Sequence, residues 1–261
     1  MCMNLSVRGS GPVEPFLGAR DLFETECDLE RPVTVRIVEN PDERTRVSHD
    51  DEGHCLTISR SGATSAMARE LALHEFAHMH HYEQNHPSHT QSTEEAIYLA
   101  LAGKRVERRK LTHCYQIANH MKDIYADDIW LSVAPADKLV AFLESSLATA
   151  LADHPPERKG WPFADETGAQ PLRRTPAADP EITAVNAAFA LGLLERHELL
   201  TKRHRIRDLA RAAASDAPHI EFERFQTLFQ TLARDPDESE YRKALVEATS
   251  AYAGGNGHAA D

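Results

Sequence analysis

His74-Glu75-Phe76-Ala77-His78 is the stretch of this 261-residue chain whose residue types and spacing best suit it to chemistry. Histidines four apart in a helix project from one face, so both imidazoles can reach a single metal ion. The glutamate between them then sits beside that ion, where it can take a proton from a bound water. The preceding segment, Thr64 to Leu73 (TSAMARELAL), holds Ala, Leu, Met, Arg and Glu, all good helix formers. Eight of the 15 histidines (74, 78, 80, 81, 86, 89, 113 and 120) crowd around the motif. His80 and His81 follow it too closely to share its face with both ligands. His86 and His89, in Asn85-His86-Pro87-Ser88-His89, read as solvated side chains.

A catalytic zinc takes three protein ligands and keeps one position open for water. Two carboxylates compete for the third place. Glu95 opens the next helix, but Ser92-x-x-Glu95 also fits a capping box. Asp123 belongs to a polar stripe, Asn119, Asp123 and Asp127, on a helix whose other face carries Ile117, Met121 and Ile124. A packed helix seldom keeps such a row without a partner, since unpaired buried charge is costly; the plain alternative is a solvated or ion-paired face. Asp123 is the preferred third ligand and Glu95 the alternative.

These segments resemble parts of the zincin superfamily of metallopeptidases over roughly residues 30–130. Thr93-Glu94-Glu95-Ala96-Ile97 resembles the N-E-A-I stretch of thermolysin-like proteases, though Glu95 lies nearer the motif than in those enzymes. The Asn119–Asp127 stretch resembles the N-x-x-x-D and E-x-x-A-D helices that carry the acidic ligand in other zincins, with Asp123 where the latter have glutamate. The chain as a whole resembles an uncharacterised haloarchaeal family of zincins. Glu52-Gly53-His54-Cys55-Leu56 faintly resembles the E-G-C-L-S segment of peptide deformylases, with a histidine inserted. The zincin resemblance implies Zn2+ as cofactor, a peptide or protein substrate, and Glu75 as general base and proton shuttle. It also implies a further hydrogen-bond donor for the oxyanion, with His120, His113, His89 and Tyr125 as candidates.

The elements that must position these groups are legible around them. Residues 14–27 form an amphipathic helix with Phe16, Leu17, Leu22 and Phe23 as its apolar set. Val33–Glu39 alternates at the two-residue period of a half-buried strand. Residues 46–60 read as a hairpin around Asp51-Glu52-Gly53, with Leu56 and Ile58 on one face. A strand beside the metal helix can pair with an extended peptide by strand addition. Helices follow over 92–110, 113–128 and 136–152, and later over 219–233 and 236–252. Phe225, Leu228, Phe229 and Leu232 mark the core stripe of the fourth, and Tyr241, Ala244, Leu245, Ala248 and Tyr252 that of the fifth. Asp235-Pro236 reads as the N-cap and first turn of the last helix, and Gly254-Gly255 as its stop. The expected class is α+β: a small antiparallel sheet packed on the H-E-x-x-H helix, then a mainly helical C-terminal half. The expected organisation is a metal-binding domain over 1–153, a Pro-rich linker or lid over 154–180, a helical region over 181–253 and a flexible tail over 254–261.

Charge narrows the function classes. The formal net charge is -12, with 7 Lys, 22 Arg and 41 Asp plus Glu. That balance opposes broad phosphate-backbone or anionic-membrane binding and is similar to proteins of salt-rich cytoplasm. The basic run Lys202 to Arg207, with Arg211, reads as one solvated cationic face, so no nucleic-acid partner is expected. Four scattered cysteines suggest free thiols in a reducing compartment. No apolar run reaches the length of a membrane span, and the N-terminus lacks the pattern of a secretory signal. A cytoplasmic zinc peptidase is the leading expectation. The alternative is a non-catalytic interaction protein with a structural metal, which a saturated four-ligand site would favour.

Overall fold

The computed structural model describes residues 3–153 and 178–254. The chain opens with strand β1 (Leu5–Arg8), helix α1 (Glu14–Phe23) and strand β2 (Val33–Val38), followed by the hairpin of β3 (Arg46–Asp50) and β4 (Gly53–Ser59). Helices follow: α2 (Arg60–Ala63), α3 (Ala68–Glu83), α4 (Pro87–Thr90), α5 (Thr93–Leu101) and α6 (Arg108–Val133). After them come α7 (Asp137–Ala152), α8 (Pro180–Arg196), α9 (Arg205–Asp216), α10 (Phe222–Thr231) and α11 (Glu238–Gly254). No helix among the described residues is long and apolar enough to cross a membrane.

The class is α+β, but the sheet is mixed rather than antiparallel. Its order is β1-β2-β4-β3. The β1–β2 and β2–β4 pairs are parallel, and only the hairpin pair β3–β4 is antiparallel. The missing piece in the sequence reading is β1, four residues too short to show a period. Helix α1 lies between β1 and β2 and supplies the crossover that a parallel pair requires. The inward residues Val33, Val35, Leu56 and Ile58 are buried as the alternation predicts.

Two compact units divide the chain. One comprises Met1–Val140 with Thr231–Asp261, the other Ala141–Gln230. These bounds differ from the 1–153 and 181–253 division, because α11 returns to pack on α5 and α6. Most of the 154–180 segment read as linker or lid, and the tail beyond Gly254, lie outside the described residues.

In the first unit α3 packs against α1 and α6. Phe76 meets Phe23 edge to face at 6.1 Å. The far end of α3 is tied down by Glu83, whose carboxylate accepts the backbone N–H groups of Glu30 and Arg31 at 2.7 and 2.9 Å. The buried His54 joins it through Nε2 at 2.8 Å. Burial alone would raise the Glu83 pKa, but these donors hold it below its ordinary value. His49 extends the chain, its Nδ1 2.6 Å from His54 Nδ1 and its ring stacked on Tyr82 at 3.8 Å. A left-handed Asn85 (φ 53°) then turns the chain out of α3.

Several helix boundaries depart from the sequence reading: the first helix ends at Phe23 rather than 27, α6 runs Arg108–Val133 rather than 113–128, and α10 runs Phe222–Thr231 rather than 219–233. The helix expected over 92–110 stops at Leu101, because Gly103 adopts φ +75° just beyond the cap, and α6 starts only at Arg108. The cap of α11 is Asp237 rather than Asp235. Asp237 accepts the Glu240 N–H at 2.8 Å while the Glu240 carboxylate accepts the Asp237 N–H at 3.0 Å, a reciprocal capping box.

In the second unit α8 approaches α10 closely. A Cβ on Gly192 would meet Gln226 O and Phe229 Cβ at 2.8 Å, so only glycine allows this contact, and Phe189 meets Phe229 edge to face at 5.6 Å. The basic run is paired here: Arg205 with Glu144 at 2.8 Å, Arg207 with Glu195 at 2.6 Å and Arg211 with Asp208 at 2.8 Å.

Candidate metal centre

The four-residue spacing on α3 and the four-residue spacing on α6 meet face to face. His74 and His78 lie on one side of α3, and Asp123 and Asp127 on one side of α6. His74 Nε2 and His78 Nε2 are 3.0 Å apart, and Asp123 Oδ1 lies 3.6 Å from the first and 3.4 Å from the second. Donors about 2.0–2.1 Å from a tetrahedral zinc stand roughly 3.3–3.4 Å apart, so the observed edges bracket that requirement. Asp123 is 27 % exposed, which leaves one side of the triangle open.

The second nitrogen of each histidine is committed elsewhere. His74 Nδ1 donates to Asp127 Oδ1 at 2.8 Å, which leaves the Nε2 lone pair for a ligand bond. His78 Nδ1 meets His89 Nε2 at 2.8 Å, His89 Nδ1 meets Ser88 Oγ at 2.7 Å, and Ser88 Oγ meets His86 Nδ1 at 2.7 Å. One consistent tautomer assignment runs donors outward along this row, again leaving His78 Nε2 unprotonated. His86, the cap of α4, and His89 are therefore parts of the site's support rather than solvated side chains. No periodicity announces them. The only signal in the sequence is Pro87, which starts a short helix and turns both rings inward.

Electrostatics of the cluster fit a cation. Burial pushes His89 down to about 2 and His81 to about 4, so both stay neutral. Burial would also lower His74, but the charges of Asp127 and Asp123 overcome it and raise its pKa well above 6.5. For Asp123 burial is again opposed, here by hydrogen bonds from His120, His74 and His78, and its pKa falls well below 3.8. Asp127 is raised, chiefly by burial and also by the Asp123 charge. The buried Asp127 and the part-exposed Asp123 carboxylate thus favour positive charge beside them, which a proton on His74 or a divalent ion can provide.

Glu75 is half-buried, and its side chain makes no hydrogen bond or ion pair among the described residues. Glu95, the alternative third ligand, is not part of the group. It is exposed, and its backbone N–H donates to the Ser92 cap at 3.1 Å, which is half of the expected capping box; among the described residues its carboxylate makes no return bond to Ser92 N–H. Asn119 is exposed. Cys55 belongs to the opposite face of the sheet from Leu56, so it does not join His74 and His78. Of the four oxyanion candidates, Tyr125 donates to Ala233 O at 3.0 Å, His113 bonds the Tyr252 hydroxyl, and His89 supports His78. His120 is the one beside the group, with Nδ1 3.6 Å from Asp123 Oδ2. Two buried donors close by, Trp130 Nε1 and Tyr241 Oη, have no acceptor among the described residues. The Trp130 ring lies 6.4 Å from that of His74.

No curated protein and no solved structure matches this chain. A family model does, over residues 3–254. On that coverage, the chain belongs to the family of unknown function DUF5781.

Proposed function

We propose that the chain is a zinc-dependent peptidase of zincin type, with His74, His78 and Asp123 as the metal ligands and Glu75 as general base. The observation that carries this reading is the convergence of two Nε2 atoms and one carboxylate oxygen within 4.8 Å of one another, on the face of a helix that also bears an unpaired glutamate. When bound, a zinc ion supplies Lewis acidity, lowering the pKa of a water and polarising the substrate carbonyl.

The chain's own residues do the rest. Glu75 takes a proton from the attacking water and delivers it to the leaving nitrogen, so that water adds across the cleaved C–N bond. Asp127 and the His89–Ser88–His86 row hold the two imidazoles in orientation and tautomer. His120, whose Nδ1 is 3.6 Å from Asp123 Oδ2, is the residue proposed to donate to oxygen at the reacting carbon. Glu75 and Tyr82, seven residues apart, share one flank of α3, and His49 of β3 stacks on Tyr82. β3 is an edge strand, so its outer row of N–H and C=O groups can accept an extended peptide by strand addition. Among the described residues the group has three protein ligands rather than four, which favours catalysis over a purely structural metal.

The test is Glu75→Gln in the zinc-loaded chain, assayed on a mixed peptide library by mass spectrometry. Zinc stoichiometry should stay at wild-type level while cleavage falls by roughly 100-fold or more. Cleavage at the wild-type rate would refute the mechanism.

A further inference from the structure

The face of the sheet opposite the buried Val33, Val35 and Leu56 carries a groove of about 410 Å³ that the metal reading leaves unused. Strand register lays out its floor. Ser6 and Thr34 are partners across β1 and β2, with their hydroxyls 3.1 Å apart, and Arg8 and Arg36 are partners in the next outward-facing row. At the other end Asp50 and Glu52, from the β3–β4 turn, line the same groove. Asp50 pairs with Gly53, whereas Arg36 pairs with Thr57. Four residues along β4 separate those rows, roughly 13 Å at 3.3 Å per residue.

Most of the charges at the two ends are uncommitted, although Arg31 Nη1 donates to the Asp50 carbonyl at 3.3 Å. Arg8 and Arg36 are exposed on adjacent strands, and neither side chain has a partner among the described residues. Like charges placed opposite one another destabilise a sheet, and a chain with 41 acidic residues had ample means to neutralise them. Glu52 is likewise unpaired, and Asp50 uses only Oδ1, which accepts the N–H groups of Glu52 and Gly53 at 2.9 and 3.0 Å.

We propose that this groove binds a short peptide with both termini free. The peptide lies along the strands, its α-carboxylate between Arg8 and Arg36 and its α-ammonium at Asp50 and Glu52. Two guanidinium groups suit a carboxylate, for which arginine offers paired N–H donors. The separation of the charged ends matches about four extended residues at 3.3–3.6 Å each, and the volume falls in the range of small-ligand pockets. A simple anion would use only one end. The site shares no residue with the His74, His78 and Asp123 group, so it stands whether or not that group holds zinc.

The test is an amide NMR titration of the full chain carrying Glu75→Gln, with tetra-alanine, its N-acetyl form, its C-amide form and inorganic phosphate as separate probes. Free tetra-alanine should shift the amides of residues 6–8, 34–36 and 52–55, and each blocked form should bind roughly tenfold more weakly. The exposed double substitution Arg8→Gln with Arg36→Gln should remove those shifts and leave the rest of the spectrum in place. Equal binding of blocked and free peptides overturns the proposal, as does phosphate binding as tightly as the peptide at the same residues. Shifts confined to the amides around residues 75 and 78 also overturn it, and they would leave the peptidase reading intact.

Discussion

Asp127 accepts a hydrogen bond from His74 Nδ1 at 2.8 Å, one helical turn beyond Asp123, whose carboxylate faces Nε2 of the same ring at 3.6 Å. One imidazole thus touches two carboxylates through its two nitrogens, and the two contacts have different consequences. Asp123 shares the ligand triangle, whereas Asp127 sets the ring's orientation and tautomer. Asp127→Asn keeps the shape but removes the charge. Zinc affinity should fall about 10–100-fold, the range for such supporting partners, with one site per chain retained. Competition against a chromogenic zinc chelator measures it.

His89 should behave similarly toward the other ligand. His89→Ala frees His78 Nδ1 and removes the link to Ser88 and His86. A fall in zinc affinity of about tenfold or more is expected, without loss of fold. An unchanged affinity, read by the same competition, would return His89 to the surface role that its sequence context suggests.

Proton linkage separates the metal-free from the metal-loaded chain. The raised His74 pKa stabilises the metal-free fold fully below its unfolded value of 6.5, and that contribution disappears as pH rises through the folded value. The depressed Asp123 pKa works the other way, giving a contribution that is full above 3.8 and lost as pH falls through the folded value. The raised Asp127 pKa opposes Asp123: its contribution is full below 3.8 and is lost as pH rises from there through the folded value. In chelator, His74 and Asp123 should therefore together stabilise the chain most between pH 3.8 and 6.5, with Asp127 tilting that maximum toward its acid end. Zinc must displace the His74 proton, so its stabilising effect should grow with pH from about 5.5 to 8. Thermal melts with and without zinc across that range give the sign directly.

The anchor at the far end of α3 is a stability test independent of the metal. His54→Ala removes a fully buried imidazole and deprives the largely buried Glu83 carboxylate of one of its three donors. The cost should be roughly 2–4 kcal/mol from the lost hydrogen bond and the cavity together. Denaturant unfolding measures it, and zinc stoichiometry should be unaffected.

Helical spacing made part of this legible in advance. His74 and His78 share a face because four residues make about one turn, and Asp123 with Asp127 repeats the same logic on α6. That the two faces meet is a tertiary fact, and spacing alone could not choose between Asp123 and the exposed Glu95, whose backbone N–H is capped by Ser92. His86 and His89 were hidden because their roles depend on a one-turn helix folding back beside α3. The parallel pairing of β1 with β2 was hidden for a related reason. A four-residue strand is too short to carry a period, and its partner is set by the α1 crossover. The return of α11 to the first unit likewise follows from packing of Tyr241, Leu245 and Tyr252 that local pattern identifies as core without saying whose core it is.

Metal content with ligand identity tests the central claim most directly. The purified chain, equilibrated with equimolar zinc and desalted, should hold one zinc per chain, with X-ray absorption reporting two imidazole nitrogens and oxygen ligands. His78→Ala and Asp123→Ala should each lose it. No retained zinc in the wild-type chain, or full occupancy that survives both substitutions, would contradict the site.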